Sequence, residues 1–188
     1  MAQFGELVLV CGDADVPFKE STLPPQFKKM LIPGKFKHCL ITGGISTANG
    51  VDELKAICDD IYYVQEAIED DPDGKDRIET TICGYKINLV SGDSLLAQST
   101  DSLLEATARL YKPDIMVYGG THELRVEKKD GVLYLNPGSL TGAFNPCHPD
   151  NCPSFLVLGM RDDDVIVFTY QVKNEKLEVG KSVFKKNE

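Results

Sequence analysis

Apolar positions run along this chain in short blocks of two kinds, and almost every block stops on a small turn-forming residue. Leu7 to Cys11 is continuously apolar and ends at Gly12-Asp13, the pattern of a strand covered on both faces that delivers polar residues at its C-terminal end. His38 to Thr42 repeats it and closes on Gly43-Gly44, Ile61 to Val64 follows, and Ile115 to Tyr118 closes on Gly119-Gly120. Alternating runs predict two hairpins, Glu79 to Cys83 with Tyr85 to Val90 around Gly84, and Leu124 to Lys128 with Val132 to Leu135 around Asp130-Gly131. Three further β-rich runs, Pro153 to Met160, Val165 to Val172 and Lys176 to Phe184, are expected to finish the second sheet and pack its edge. Helical spacing appears over Gln26 to Ile32, between Pro24-Pro25 and Pro33-Gly34, over Val51 to Cys58, and over Thr100 to Leu110 with Leu103, Leu104, Thr107 and Leu110 on one stripe.

Polar residues with chemical potential collect where strands end, which is where open α/β sheets bind ligands. Asp13 and Asp15 follow the first strand at i and i+2, a spacing that turns both carboxylates to one side of extended backbone. An Asp-rich turn satisfying its own amides is the other reading. Thr121 and His122 follow Gly119-Gly120, so a potential ligand or general acid stands at a strand's end. Asn136-Pro137-Gly138-Ser139 makes a turn after the second hairpin. The acidic run Glu66, Glu69, Asp70 and Asp71 reads as a solvated loop, whereas Ser94-Leu95-Leu96-Ala97 is a short apolar loop.

Composition narrows the classes. With 188 residues the chain suits one domain, 1–188, with a frayed tail over 184–188. No apolar run approaches the ~18–20 residues that span a bilayer, and the start lacks the basic flank of a signal peptide. A cytoplasmic protein is therefore expected. A formal charge of -9 opposes phosphate backbones, which argues against nucleic acid as a partner. Of six cysteines, Cys11, Cys39 and Cys83 sit in or beside apolar strand runs and Cys58 in a helical one, so reduced buried thiols are expected. Cys147 and Cys152 have the look of a metal pair, but no second pair accompanies them and a surface loop is the better reading.

The order Gly119-Gly120-Thr121-His122, hairpin, Asn136-Pro137-Gly138-Ser139-Leu140-Thr141-Gly142-Ala143 resembles the calcineurin-like metallophosphoesterases. More narrowly it resembles the vacuolar protein sorting 29 family, the small subunit of the retromer coat. The stretch TLPPQFKKMLIPGKFKHCLITGG is similar to that family in the same place and order, and the resemblance runs from Leu7 to Phe184. It implies an α/β fold: a metallophosphoesterase-like sandwich of two mixed β-sheets flanked by α-helices. The departures from the family pattern point to a divergent member or a paralogue.

The resemblance also implies a ligand count. The second-metal set falls on Gly44, Ala67, Ser91 and Gly120, of which only Ser91 has even a weak ligand atom. The first-metal set falls on Asp13, Asp15, Ala67 and His122, with the bridging carboxylate lost at Ala67. Asp13, Asp15 and His122 remain as a set for at most one weakly bound divalent metal ion, and no cofactor is required. The implied function is a non-catalytic retromer scaffold, peripheral on endosomal membranes through its complex and without membrane insertion of its own. A residual single-metal phosphoesterase is the alternative. The implied partner at the pocket rim is the large α-solenoid retromer subunit, met by Val16, Pro17, Leu95 and Leu96. Leu7, Met30, Phe168 and Tyr170 match a second apolar patch that family members present to regulators of small GTPases and to adaptors.

Overall fold

The computed structural model of the protein describes residues 5–15, 22–44, 56–65, 74–95 and 100–186. Eleven strands form two sheets among these residues. The first six in sequence are β1 (Glu6–Cys11), β2 (Phe36–Ile41), β3 (Cys58–Tyr63), β4 (Arg77–Ile82), β5 (Tyr85–Val90) and β6 (Ile115–Tyr118). The rest are β7 (Leu124–Lys129), β8 (Val132–Pro137), β9 (Ser154–Met160), β10 (Asp164–Lys173) and β11 (Lys176–Lys185). One sheet has six strands in the order β11-β10-β9-β1-β2-β3, the other five in the order β4-β5-β6-β8-β7. Both are mixed: β1 runs parallel to β2 and antiparallel to β9, and β6 runs parallel to β5 and β8 while β4 and β7 are antiparallel edges.

The continuous apolar character of β1 follows from its place between two layers. Val8 and Val10 face the other sheet, in a core shared with Ile87, Leu89, Val117 and Leu135. Leu9 and Cys11 face outward onto helix α1 (Pro25–Lys28), whose Phe27 is fully buried beside Phe155. Burying one such ring stabilises the fold by about 2–3 kcal/mol. On the outside of the five-stranded sheet, helix α2 (Thr100–Tyr111) lays Leu104 and Ala108 on Val90, Met116 and Tyr134. The layers are therefore helix, sheet, sheet, helix, as the α/β sandwich requires.

Five expectations need correction. The three C-terminal strands belong with β1 in the six-stranded sheet, because β9 pairs antiparallel with β1 from Glu6↔Met160 to Val10↔Leu156. The helix expected over Gln26 to Ile32 is one turn, Pro25–Lys28; a segment this short between prolines has too few internal bonds to propagate, and Leu31 is buried in the bend that follows it. Cys58 opens β3 rather than ending a helix, and residues 51–55 of that expected helix lie outside the described residues. Leu95 lies in a 3-10 turn (Asp93–Leu95), 2% exposed and packed with Val90, Leu104 and Tyr118. An aliphatic side chain in a polar loop is here a plug under α2, so it is not a rim contact. At the C-terminus β11 runs on to Lys185, so the stretch expected to fray from 184 is paired at its start, Phe184 with Val165 and Lys185 with Asp164.

Candidate functional site

The parallel strands β1, β2, β5, β6 and β8 all end toward one edge of the sandwich, and their loops build the site. Asp13, Asp15 and His122 all have φ in the left-handed region, at 46°, 48° and 58°. Non-glycine residues seldom hold that conformation unless surrounding structure imposes it, and such strain gathers at functional sites. The surrounding structure here is a set of side chains bonded to backbone. Ser139 Oγ donates to Asp13 O at 2.6 Å and accepts from Ala143 N, and Thr141 Oγ1 donates to Ala14 O at 2.6 Å. Asn136 Nδ2 donates to Thr121 Oγ1 at 2.9 Å, and Asn151 Nδ2 to Ala143 O at 2.7 Å. The turn read from sequence at Asn136 to Ser139 thus fastens the loop after β1 to the loops after β6 and β8. Its side chains carry no mark of that role in the sequence, since their partners are distant along the chain.

His122 and Asp15 meet, with Nε2 3.7 Å from Asp15 Oδ2, and His122 Nδ1 is 2.8 Å from Ala143 O. Nδ1 donates to that carbonyl, which leaves Nε2 as the nitrogen facing the Asp15 carboxylate. Asp13 Oδ2 accepts from Gly120 N at 2.8 Å. Among the described residues no group of three His, Cys, Asp or Glu side chains is arranged to hold a metal ion. Of the expected set of Asp13, Asp15 and His122, Asp15 and His122 meet each other, while Asp13 Oδ2 is bonded to the backbone of the β6–β7 loop.

The positions where the resemblance places second-metal ligands are closed by backbone. A Cβ on Gly120 (φ +84) would stand 2.6 Å from Gly92 Cα, and one on Gly44 (φ +72) 2.7 Å from Asp13 Cα. No real Cβ tolerates such distances, so a histidine or asparagine could not be accommodated there without moving the loops. Ser91 is fully buried, and its Oγ finds no hydrogen-bond partner among the described residues. A two-metal centre does not fit these residues.

Beside His122 an open hollow of about 440 Å³ is lined by Glu123, Cys147, His148, Cys152 and Lys173, among others. Cys147 is exposed and Cys152 half-buried, and all six cysteines are free thiols. The Cys39 thiol is raised well above its ordinary range, chiefly by contacts with the Cys11 and Cys58 thiols and then by burial. Burial leads for Cys83, pushed up to about 11.

Residues 1–163 match the calcineurin-like phosphoesterase superfamily domain. A solved vacuolar protein sorting 29 (Vps29) from Cryptosporidium parvum superposes with a TM-score of 0.90 at 34% identity, over 97% of this chain and 99% of that one. The chain belongs to the Vps29 family of that superfamily. The Schizosaccharomyces pombe vacuolar protein sorting-associated protein 29 is 29% identical over 97% of this chain and all of its own length. An Entamoeba histolytica Vps29 solved in complex with Zn2+ is 26% identical, with a TM-score of 0.87, over 96% of this chain and 99% of that chain.

Of the other residues that the resemblance singles out, Val16, Pro17, Leu96 and Ala67 lie outside the described residues. Leu7, Met30, Phe168 and Tyr170 all pack against one core cluster. All four are partly buried and pack on the outer face of the six-stranded sheet, where Tyr170 stacks on Phe155 with ring centroids 4.8 Å apart. Val172 and Leu23 extend the same face, and Val179 is 55% exposed on the neighbouring strand β11. Sequence reading missed Val179 because an isolated exposed valine carries no signal until β11 is paired in register with β10, setting Val179 opposite Tyr170.

Proposed function

We propose that this chain is a non-catalytic retromer subunit in vacuolar protein sorting, docking through the rim of its strand-end pocket on the large α-solenoid subunit. It presents the Leu7, Met30, Phe168 and Tyr170 face to regulators of small GTPases or to adaptors, and it works at endosomes. The observation that carries this reading is the closure of the pocket by backbone at Gly44, Gly92 and Gly120, with the rim loops held in place by Ser139, Thr141 and Asn136. A hydrolase needs that space for two cations and a phosphate. A docking surface needs only the rim, where Phe144 is 58% exposed.

A single weakly held divalent ion is the second reading, favoured by the pairing of Asp15 with Nε2 of His122. Two ligands leave most of a coordination shell to water, so such an ion would not be needed for docking.

The test is calorimetric titration of the chelator-stripped chain with the C-terminal half of the large subunit, with and without zinc or manganese. Equal binding in both conditions is expected. Binding that requires the ion would overturn the metal-free reading, and no binding in either would overturn the retromer assignment. Turnover of a generic phosphodiester should be no faster for the native chain than for the Asp13→Ala, His122→Ala double variant. Met30→Asp should abolish capture of adaptors while leaving large-subunit binding intact.

A further inference from the structure

We infer that Cys147 and Cys152, in the loop between β8 and β9, are a redox-active dithiol that exchange with a small-molecule disulfide closes into a bridge. Both are free thiols, and both line the open hollow of about 440 Å³ beside His122. Between them stand His148, Pro149, Asp150 and Asn151. Asn151 N donates to His148 O at 3.3 Å, which closes these residues into a turn with proline at its second position. Proline there presets the backbone angle that the turn requires. The two cysteines are thus the residues that enter and leave one turn. Where the chain runs extended on both sides of a turn, such a pair stands about 4.5–5.5 Å apart at Cα, within the roughly 4.4–6.8 Å that a disulfide spans. Cys147 also belongs to the preceding turn, where its backbone N donates to Asn145 Oδ1 at 2.9 Å in an exposed position. Water can replace that bond as Cys147 swings toward its partner.

Access sets the order of reaction. Cys147 is exposed and meets the reagent, whereas Cys152 is half-buried, its Sγ turned back onto the turn toward Asp150 O at 3.7 Å. The Cys147 thiolate attacks one sulfur of the reagent, forming a mixed disulfide and expelling one thiolate. The Cys152 thiolate then attacks Cys147 Sγ and expels the second. The pair gives up two electrons and two protons, and the reagent leaves as two thiols. The remaining thiols do not compete. Cys11, Cys39 and Cys58 are buried, and Cys83, pushed up to about 11 mainly by burial, holds little thiolate near neutral pH. A dithiol that opens and closes suits a reducing compartment, where disulfides are transient. The turn is anchored beside the site, for Asn151 Nδ2 donates to Ala143 O, the carbonyl that His122 Nδ1 also uses. Closing the bridge therefore stiffens the segment from Ala143 to Cys152, which carries the exposed Phe144.

The experiment equilibrates the full chain with glutathione at rising ratios of disulfide to thiol, quenches with acid, alkylates, and reads intact mass and linked peptides. A Cys147–Cys152 link within one chain is expected, reversed when the ratio is lowered. Cys152→Ser should stop the reaction at a glutathione adduct on Cys147, and Cys147→Ser should slow modification at Cys152 by about tenfold or more. Pro149→Gly, which loosens the turn, should lower the equilibrium constant for the link by about two- to fivefold. Glutathione on both cysteines without a link, a link between two chains, or alkylation of both thiols at every ratio would overturn the proposal. A link indifferent to Pro149→Gly would overturn the turn as its cause.

Discussion

The strand-end pocket and the outer face of β9 to β11 are both candidate surfaces, and they are built on opposite principles. At the pocket, the side chains of Asp13, Ser139, Thr141 and Asn145 bond to backbone atoms, and glycines press on one another at Gly92 and Gly120. On the sheet face, Leu7, Met30, Phe168 and Tyr170 make contacts of carbon with carbon over Phe155 and Phe27. The first surface is fixed by conformation and tolerates little change of shape. The second is fixed by apolar area and tolerates change of shape at the expense of binding. A chain can therefore lose catalytic ligands and keep its pocket's outline, because the outline is held by a different set of residues.

Reinstating a ligand is the strongest way to break that contrast. Gly120→His should destabilise the protein by about 3 kcal/mol or more, from a φ of +84° and a collision with Gly92. Denaturant melting measures this, and a stable variant that gained tight zinc binding would show that the pocket is open. Next in size, Ser139→Ala should cost about 2 kcal/mol, since it strips a buried hydroxyl from two backbone groups. Ser91→Ala, whose hydroxyl bonds to none of the described residues, should be neutral or stabilising by up to about 1 kcal/mol in the same melts. Met30→Asp on the sheet face should shift stability by no more than about 1 kcal/mol while removing adaptor capture.

The smallest effect is one of pH and separates the pocket from the other end of β1. Glu6 is held below its ordinary 4.5, first by the hydrogen bond from Lys37 and then by that from Cys83. A depressed carboxylate contributes stability that is present above its unfolded pKa and is lost as pH falls through the folded value. The side chain is 38% exposed, so screening keeps this to a few tenths of a kcal/mol. Stability between pH 5 and about 3 should fall less steeply in Glu6→Gln than in the native chain, as melts across that range would measure.

Much of the fold is legible in order along the chain. Strand β6 matches its apolar run residue for residue, and the Asp130-Gly131 hairpin matches its alternation to within two residues at either end, because a single turn type fixes its register. The sheet to which β9, β10 and β11 belong is not legible, since alternation gives a strand two faces but not a neighbour. The site is half legible. Asp13, Asp15 and His122 stand out as residues at strand ends, whereas Leu95 does not reveal its place, because its burial depends on α2 lying over it.

The sequence by itself determined which residues carry chemistry and which are missing: no side chain at Gly44 or Gly120 can reach a cation, whatever the fold. It determined the strands as well, through the period of their apolar positions. Tertiary structure alone decided that Asp13 bonds Gly120 while Asp15 meets His122, and that four apolar residues from β1, the α1 turn and β10 make one face. Those outcomes depend on distances between segments more than one hundred residues apart, and such distances are set by how the two sheets pack.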